Sequence, residues 1–292
     1  MILCLVAALA GAVNAIAGGG TLLTFPALFA ALGSSGAAAV VANATSTVAL
    51  VPGAIAALAG YRNEIRQELR WATLLVVPSL IGGLTGSLLL VLMPGEAFKT
   101  AVPWLILTAA LLFVLQPHIA RWTGLTPRSP GGLRRAPLGL SSGRRQSSRN
   151  GVGDEEARLG AAATHAVGHA PGLLAAVISF QFLVAIYGGY FGAGIGILML
   201  SALAMMGMHD IHRMNAVKVL LNLTINGTSV VVFVASGKVY WPYAAAMAVS
   251  SSIGGYVAAH TAKRANKTVV RSIIVVIGFS LAAYYFYREF GS

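Results

Sequence analysis

Gly18-Gly19-Gly20-Thr21-Leu22-Leu23-Thr24-Phe25-Pro26 lies inside the apolar run Ile2 to Leu32, and Gly188-Gly189-Tyr190-Phe191-Gly192-Ala193-Gly194-Ile195-Gly196 lies inside a second run, Pro171 to Gly207. Both runs are longer than the ~20 residues that one membrane-crossing helix needs. Glycine costs a helix about 1 kcal/mol relative to alanine, so three in a row predict a break or a sharp bend. Lipid cannot satisfy free N–H and C=O groups, so irregular backbone at membrane depth persists only where protein buries it or where it lines a cavity. Each cluster therefore reads as an opened helix and as a candidate wall of a site.

Working outward, 57% of the 292 residues are hydrophobic and 10% charged, with a mean hydropathy of +0.78. A soluble domain carries about 25% charged residues, so the chain reads as an all-α, polytopic membrane protein. Six further apolar runs are long enough to span, near Ala37–Gly60, Trp71–Leu92, Phe98–Leu115, Met214–Ser236, Trp241–Ala262 and Val269–Tyr287. The first run has no basic n-region and its small residues continue into structure, which reads as part of the fold rather than a cleaved leader. Cys4 is the only cysteine, which excludes a disulfide framework and a thiolate metal site. The net charge of +12 does not indicate nucleic acid, because eight of the twenty Lys and Arg lie between 117 and 170 and most others flank the spans. Orientation across a bilayer is the better account.

The second half echoes the first. Gly20 matches Gly194, Ala42 matches Ala216 and Gly53 matches Gly227 at one offset, and Ile81-Gly82-Gly83 matches Ile253-Gly254-Gly255 at a slightly shorter one. The expected organisation is a first transmembrane repeat over 1–116, a flexible cytoplasmic linker rich in Arg, Ser, Gly and Pro over 117–170, and a second repeat over 171–292. Each repeat holds about four hydrophobic segments. If each glycine-containing run crosses once, basic residues divide with little bias. If each run enters and turns back, every Lys and Arg except Lys99, Lys238 and Arg288 falls on one side, and the second repeat is inverted relative to the first. The charge distribution favours the hairpin reading.

All eight acidic residues lie in loops or at span ends. Carriers of protons and cations usually need a carboxylate at membrane depth, so an anion is the better-served substrate. Gly18, Gly19, Gly20, Gly192 and Gly194 could present N–H groups with a helix dipole behind them, or could simply allow close helix packing. Lys218 is a counter-charge for an anion or a side chain that snorkels to the helix end. Thr21, Asn43, Thr45 and Asn222 could complete the site or act as interhelical glue. Neither glycine cluster ends in Gly-Lys-Ser/Thr, no HExxH motif occurs, and no nucleophile–base or carboxylate pair stands out. No enzyme activity, cofactor, metal or nucleic-acid partner is expected. The partners expected are the bilayer, a small anionic substrate and, in a homo-oligomer, further copies of this chain.

Asn14 to Pro26, followed by Ala42-Asn43-Ala44-Thr45-Ser46-Thr47 and Gly60-Tyr61-Arg62, resembles the first repeat of the TauE/SafE sulfite exporter family, and Ala216-Val217-Lys218 to Asn222 with Ile253-Gly254-Gly255-Tyr256 resembles the second. The resemblance covers both membrane halves and not the linker. It implies a secondary permease of a bacterial inner membrane for sulfite, sulfonates or related small anions, with the glycine-rich segments and Lys218 near the pathway. Asn14 stands where many members carry an aspartate, so cation coupling through that acid is not implied here. A non-transporting membrane scaffold acting through the basic linker is the alternative.

Overall fold

The computed structural model describes residues 1–16, 18–33, 35–122, 171–206, 208, 210–261 and 267–290. The arginine-rich tract over 123–170 lies outside the described residues. Those described form helices joined by short turns, with no strand among them: α1 (Ile2–Ile16), α2 (Thr21–Leu32), α3 (Gly36–Gly60), α4 (Arg62–Gln67), α5 (Leu69–Leu92), α6 (Gly95–Trp122), α7 (Pro171–Tyr190), α8 (Ile195–Met205), α9 (Ile211–Ala235), α10 (Trp241–Thr261) and α11 (Lys267–Phe290). Helix α6 runs on to Trp122, into the stretch expected as linker.

Five helical stretches are long and apolar enough to cross a bilayer: Gly36–Gly60, Trp71–Leu92, Gly95–Leu115, Arg213–Ala235 and Ser272–Phe290. A sixth expected span forms the continuous helix α10, whose apolar character Ser250, Ser251, Ser252 and His260 dilute. Helix α10 lies between α1 and α3, and Ser251 is fully buried there, donating to the Ala49 carbonyl. Of the three serines and the histidine, Ser251 is the one that protein encloses, while His260 is exposed.

Both glycine clusters interrupt helices as expected. The chain leaves α1 at Ile16 and re-enters helix at Thr21; it leaves α7 at Tyr190 and re-enters at Ile195. It also turns back. Gly20 packs on the Asn14 side chain and on the Ala10 carbonyl, and a straight broken span would leave that carbonyl about 15 Å behind at 1.5 Å per residue. Ion pairs at the helix ends agree. Lys99 sits 3.6 Å from Glu289, and Arg213 sits 3.0 Å from Glu68. Single crossings would put the members of each pair on opposite faces of a core about 30 Å thick. Pro26 falls beyond the first turn of α2.

The halves interleave. Helix α1 packs on α10 as α7 packs on α5, α3 packs on α10 as α9 packs on α5, and α3 meets α9 while α6 meets α11. Exchanging the halves leaves this pattern unchanged. The glycines permit the approach: Gly254 lies against the Ala8 carbonyl of α1, and Gly82, its counterpart, lies against the Phe182 carbonyl of α7, where an added Cβ would stand 2.7 Å from that oxygen. Small residues let backbones come this close, which is what drives helix association where lipid is as apolar as leucine.

Candidate functional site

The two turns meet. Gly18 and Gly192 occupy matching places and both are left-handed, with φ of 75° and 81°. The N–H of Gly196 faces the Gly18 carbonyl at 3.5 Å, and a Cβ on Gly18 would stand 2.6 Å from the Gly196 Cα. Thr21 Oγ1 lies 3.5 Å from where a Cβ of Gly192 would be. Gly19 is covered by the Phe113 ring of α6, a contact that nothing in the sequence announces. Neither α2, entered from Gly20, nor α8, entered from Gly194 at φ 76°, has a side-chain cap at its start. Two half-helix N-termini, each equivalent to roughly +0.5 charge, thus face the centre of the fold.

The C-terminal ends of the other half-helices are capped from the opposite half. Lys218 is 1% exposed, and its Nζ donates to the Ala15 and Ile16 carbonyls at 3.3 and 3.1 Å and to Asn215 Oδ1 at 3.1 Å. It does not snorkel. Its charge sits where the negative end of α1 would otherwise go uncompensated. At the matching place, Asn43 Nδ2 donates to the Tyr190 carbonyl at the end of α7, 3.0 Å away. Asn226 Nδ2 donates to Asn222 Oδ1 at 2.8 Å, and Asn222 Nδ2 donates to Asn14 Oδ1 at 3.2 Å, which pins α1 to α9. Asn222 thus bridges two helices through its side chain.

Thr45 is held by a different contact. Thr45 Oγ1 accepts from the Tyr240 N–H at 2.9 Å, in the connection between α9 and α10, away from the meeting turns. Gly18, Gly19, Gly20, Thr21, Gly192, Gly194 and Lys218 do gather around the half-helix ends. Among the described residues Lys218 is the only buried cation, and no carboxylate is buried. None of His, Cys, Asp and Glu cluster in a way that could hold a metal ion, again among the described residues.

Over residues 3–285 the sequence matches the family described as Sulfite exporter TauE/SafE. The chain belongs to the TauE/SafE family. It is 26% identical over 290 residues to the Escherichia coli K12 protein named "Probable membrane transporter protein YfcA", covering 99% of this chain and 90% of that one. It is 25% identical over 278 residues to a Haemophilus influenzae "Probable membrane transporter protein", covering 95% and 90%. A Sinorhizobium "Probable membrane transporter protein ORF9" is 22% identical over 274 residues, covering 94% and 87%. No solved structure matches. Membership in TauE/SafE makes this a multi-pass protein of a transporter family, and the resemblance carried by Asn14 to Pro26 and by Ala216 to Asn222 extends over nearly the whole chain.

Proposed function

We propose that this TauE/SafE chain is a secondary permease for small oxyanions, sulfite or organosulfonates being the class to which the family name points. The anion is held between the starts of α2 and α8, near Gly19, Gly20, Thr21 and Gly194, with Lys218 fixing the α1 end of the same turn. The two repeats lie inverted in a bacterial inner membrane, and the site opens to each side in turn. The observation that carries this reading is the convergence of two half-helix N-termini without side-chain caps at a centre where, among the described residues, no carboxylate is buried. Backbone donors backed by a dipole favour an anion by about 0.3–1 kcal/mol per helix end, and up to ~2 kcal/mol when partly buried.

Purified protein in liposomes, offered radiolabelled sulfite, sulfoacetate, sulfate and small carboxylates with and without a pH gradient, is expected to take up at least one sulfur oxyanion saturably. Deleting residues 125–165 is expected to leave that flux intact. Absence of flux for the whole panel sinks the permease reading and favours a scaffold acting through the linker.

Orientation is tested separately. Cys4 is the only native cysteine, so Cys4→Ser provides a blank background. Cysteines placed at Arg66 and Ala265 are expected to label from one compartment, and cysteines at Ala97 and Tyr240 from the other. Labelling of positions 66 and 265 from different compartments removes the inverted arrangement.

A further inference from the structure

The two half-helix C-termini occupy matching places, and their caps, which come from neighbouring positions in the two halves, are unequal in charge. Lys218 and Asn43 stand at the same depth along α9 and α3, seven residues in from Ile211 and Gly36. Ile16 and Tyr190, whose carbonyls they cap, are the last residues of α1 and α7. At the α1 end an ammonium ion compensates the carbonyls. At the α7 end the cap is a neutral amide. That amide spends its donor on the Tyr190 carbonyl and leaves Asn43 Oδ1 buried with no hydrogen-bond partner, on a residue 1% exposed.

An orphaned buried carbonyl oxygen costs about 1–3 kcal/mol, and here it lies beside the negative end of a helix of 20 residues. One orphaned acceptor, beside a helix end of negative potential that only a neutral amide caps, describes half of a cation site. We propose that a monovalent metal cation, Na+ in the first instance, binds at the α7 C-terminus between Asn43 Oδ1 and the carbonyl oxygens ending at Tyr190, doing there what the Lys218 ammonium does at the α1 C-terminus. A divalent ion is disfavoured because hard divalent ions are held by carboxylates, and none of the described carboxylates is buried. Half-helix C-terminal ends with unwound carbonyls are a general means of holding a coupling cation beside an anion held at half-helix N-terminal ends. The ion site does not depend on the anion reading, because cation binding is measured without any anion substrate.

The full-length protein in detergent is melted in NaCl and in choline chloride of equal ionic strength, and 22Na+ binding is measured on the same samples. The wild type is expected to melt higher in NaCl, saturably, with one Na+ bound per chain. Asn43→Lys supplies a tethered cation and is expected to melt alike in both salts and to bind no 22Na+. Asn43→Asp places a carboxylate against the Tyr190 carbonyl and is expected to bind Na+ more tightly, with a wider gap between the two salts. Equal melting and no 22Na+ uptake by the wild type overturn the proposal, the oxygen then being met by water. A Na+ response left unchanged in both Asn43→Lys and Asn43→Asp overturns the location. Should Asn43→Lys fail to fold, Asn43→Asp alone decides, since an unchanged response there also removes Asn43 from the site.

Discussion

Gly18→Ala is expected to abolish uptake and to lower the melting temperature far more than the same change at Gly237. Both glycines are left-handed, at φ of 75° and 66°, so both substitutions carry the ~1–2 kcal/mol that an L-residue pays in that region. They differ in what a methyl group meets. At Gly237 nothing lies within 4 Å, whereas at Gly18 the Cβ would stand 2.6 Å from the Cα and 3.0 Å from the N of Gly196. Those are backbone atoms of the other turn, which cannot swing aside as a side chain would. Relief requires the two hairpins to part, and with them the α2 and α8 starts. Thermal melts in detergent, paired with flux measurements in liposomes, check this. Near-equal behaviour of the two variants would mean that the contact between the turns is not maintained in the membrane.

Lys218→Ala has the second large expected effect, in two readouts together. Removing the ammonium leaves two terminal carbonyls of α1 and Asn215 Oδ1 short of a donor they now have. Buried groups left unsatisfied cost about 1–3 kcal/mol each, so a loss of at least about 2 kcal/mol is expected along with loss of uptake. Lys218→Arg keeps the charge but replaces a compact donor by a planar fork, and is expected to recover part of the stability. A residue that served only as counter-charge to the substrate would lose uptake while melting as the wild type does, and that result would contradict the capping role.

Hydropathy made the long helices legible, because a span's apolar length is local information. The helix breaks at Gly18–Gly20 and Gly192–Gly194 were equally legible, since glycine's penalty acts on its own stretch of backbone. The turning back of each run was readable only through charge, from the exceptional positions of Lys99, Lys238 and Arg288. Lys99 now pairs with Glu289, beside Arg288, and Lys238 Nζ donates to the Val91 carbonyl at the end of α5, which gathers them at one end. The partners of Lys218 were beyond reach. They are main-chain oxygens some two hundred positions away, and a carbonyl leaves no trace in a residue type. The cover of Phe113 over Gly19 was hidden for a similar reason, because one phenylalanine among apolar neighbours carries no sign of what it touches.

The interleaved packing also constrains how the protein is made. When the first six helices have left the ribosome, the small-residue faces of α1 and α3 that will receive α10, and the face of α5 that will receive α7, are still without their mates. The helices that cover those faces in the finished protein belong to the C-terminal half, so the faces stay in lipid or beside the insertase until that portion arrives. Completion of the molecule is therefore a late event in synthesis, and a chain cut short after α6 keeps the core around Phe25 and Phe98 but leaves the small-residue faces of α1, α3 and α5 bare.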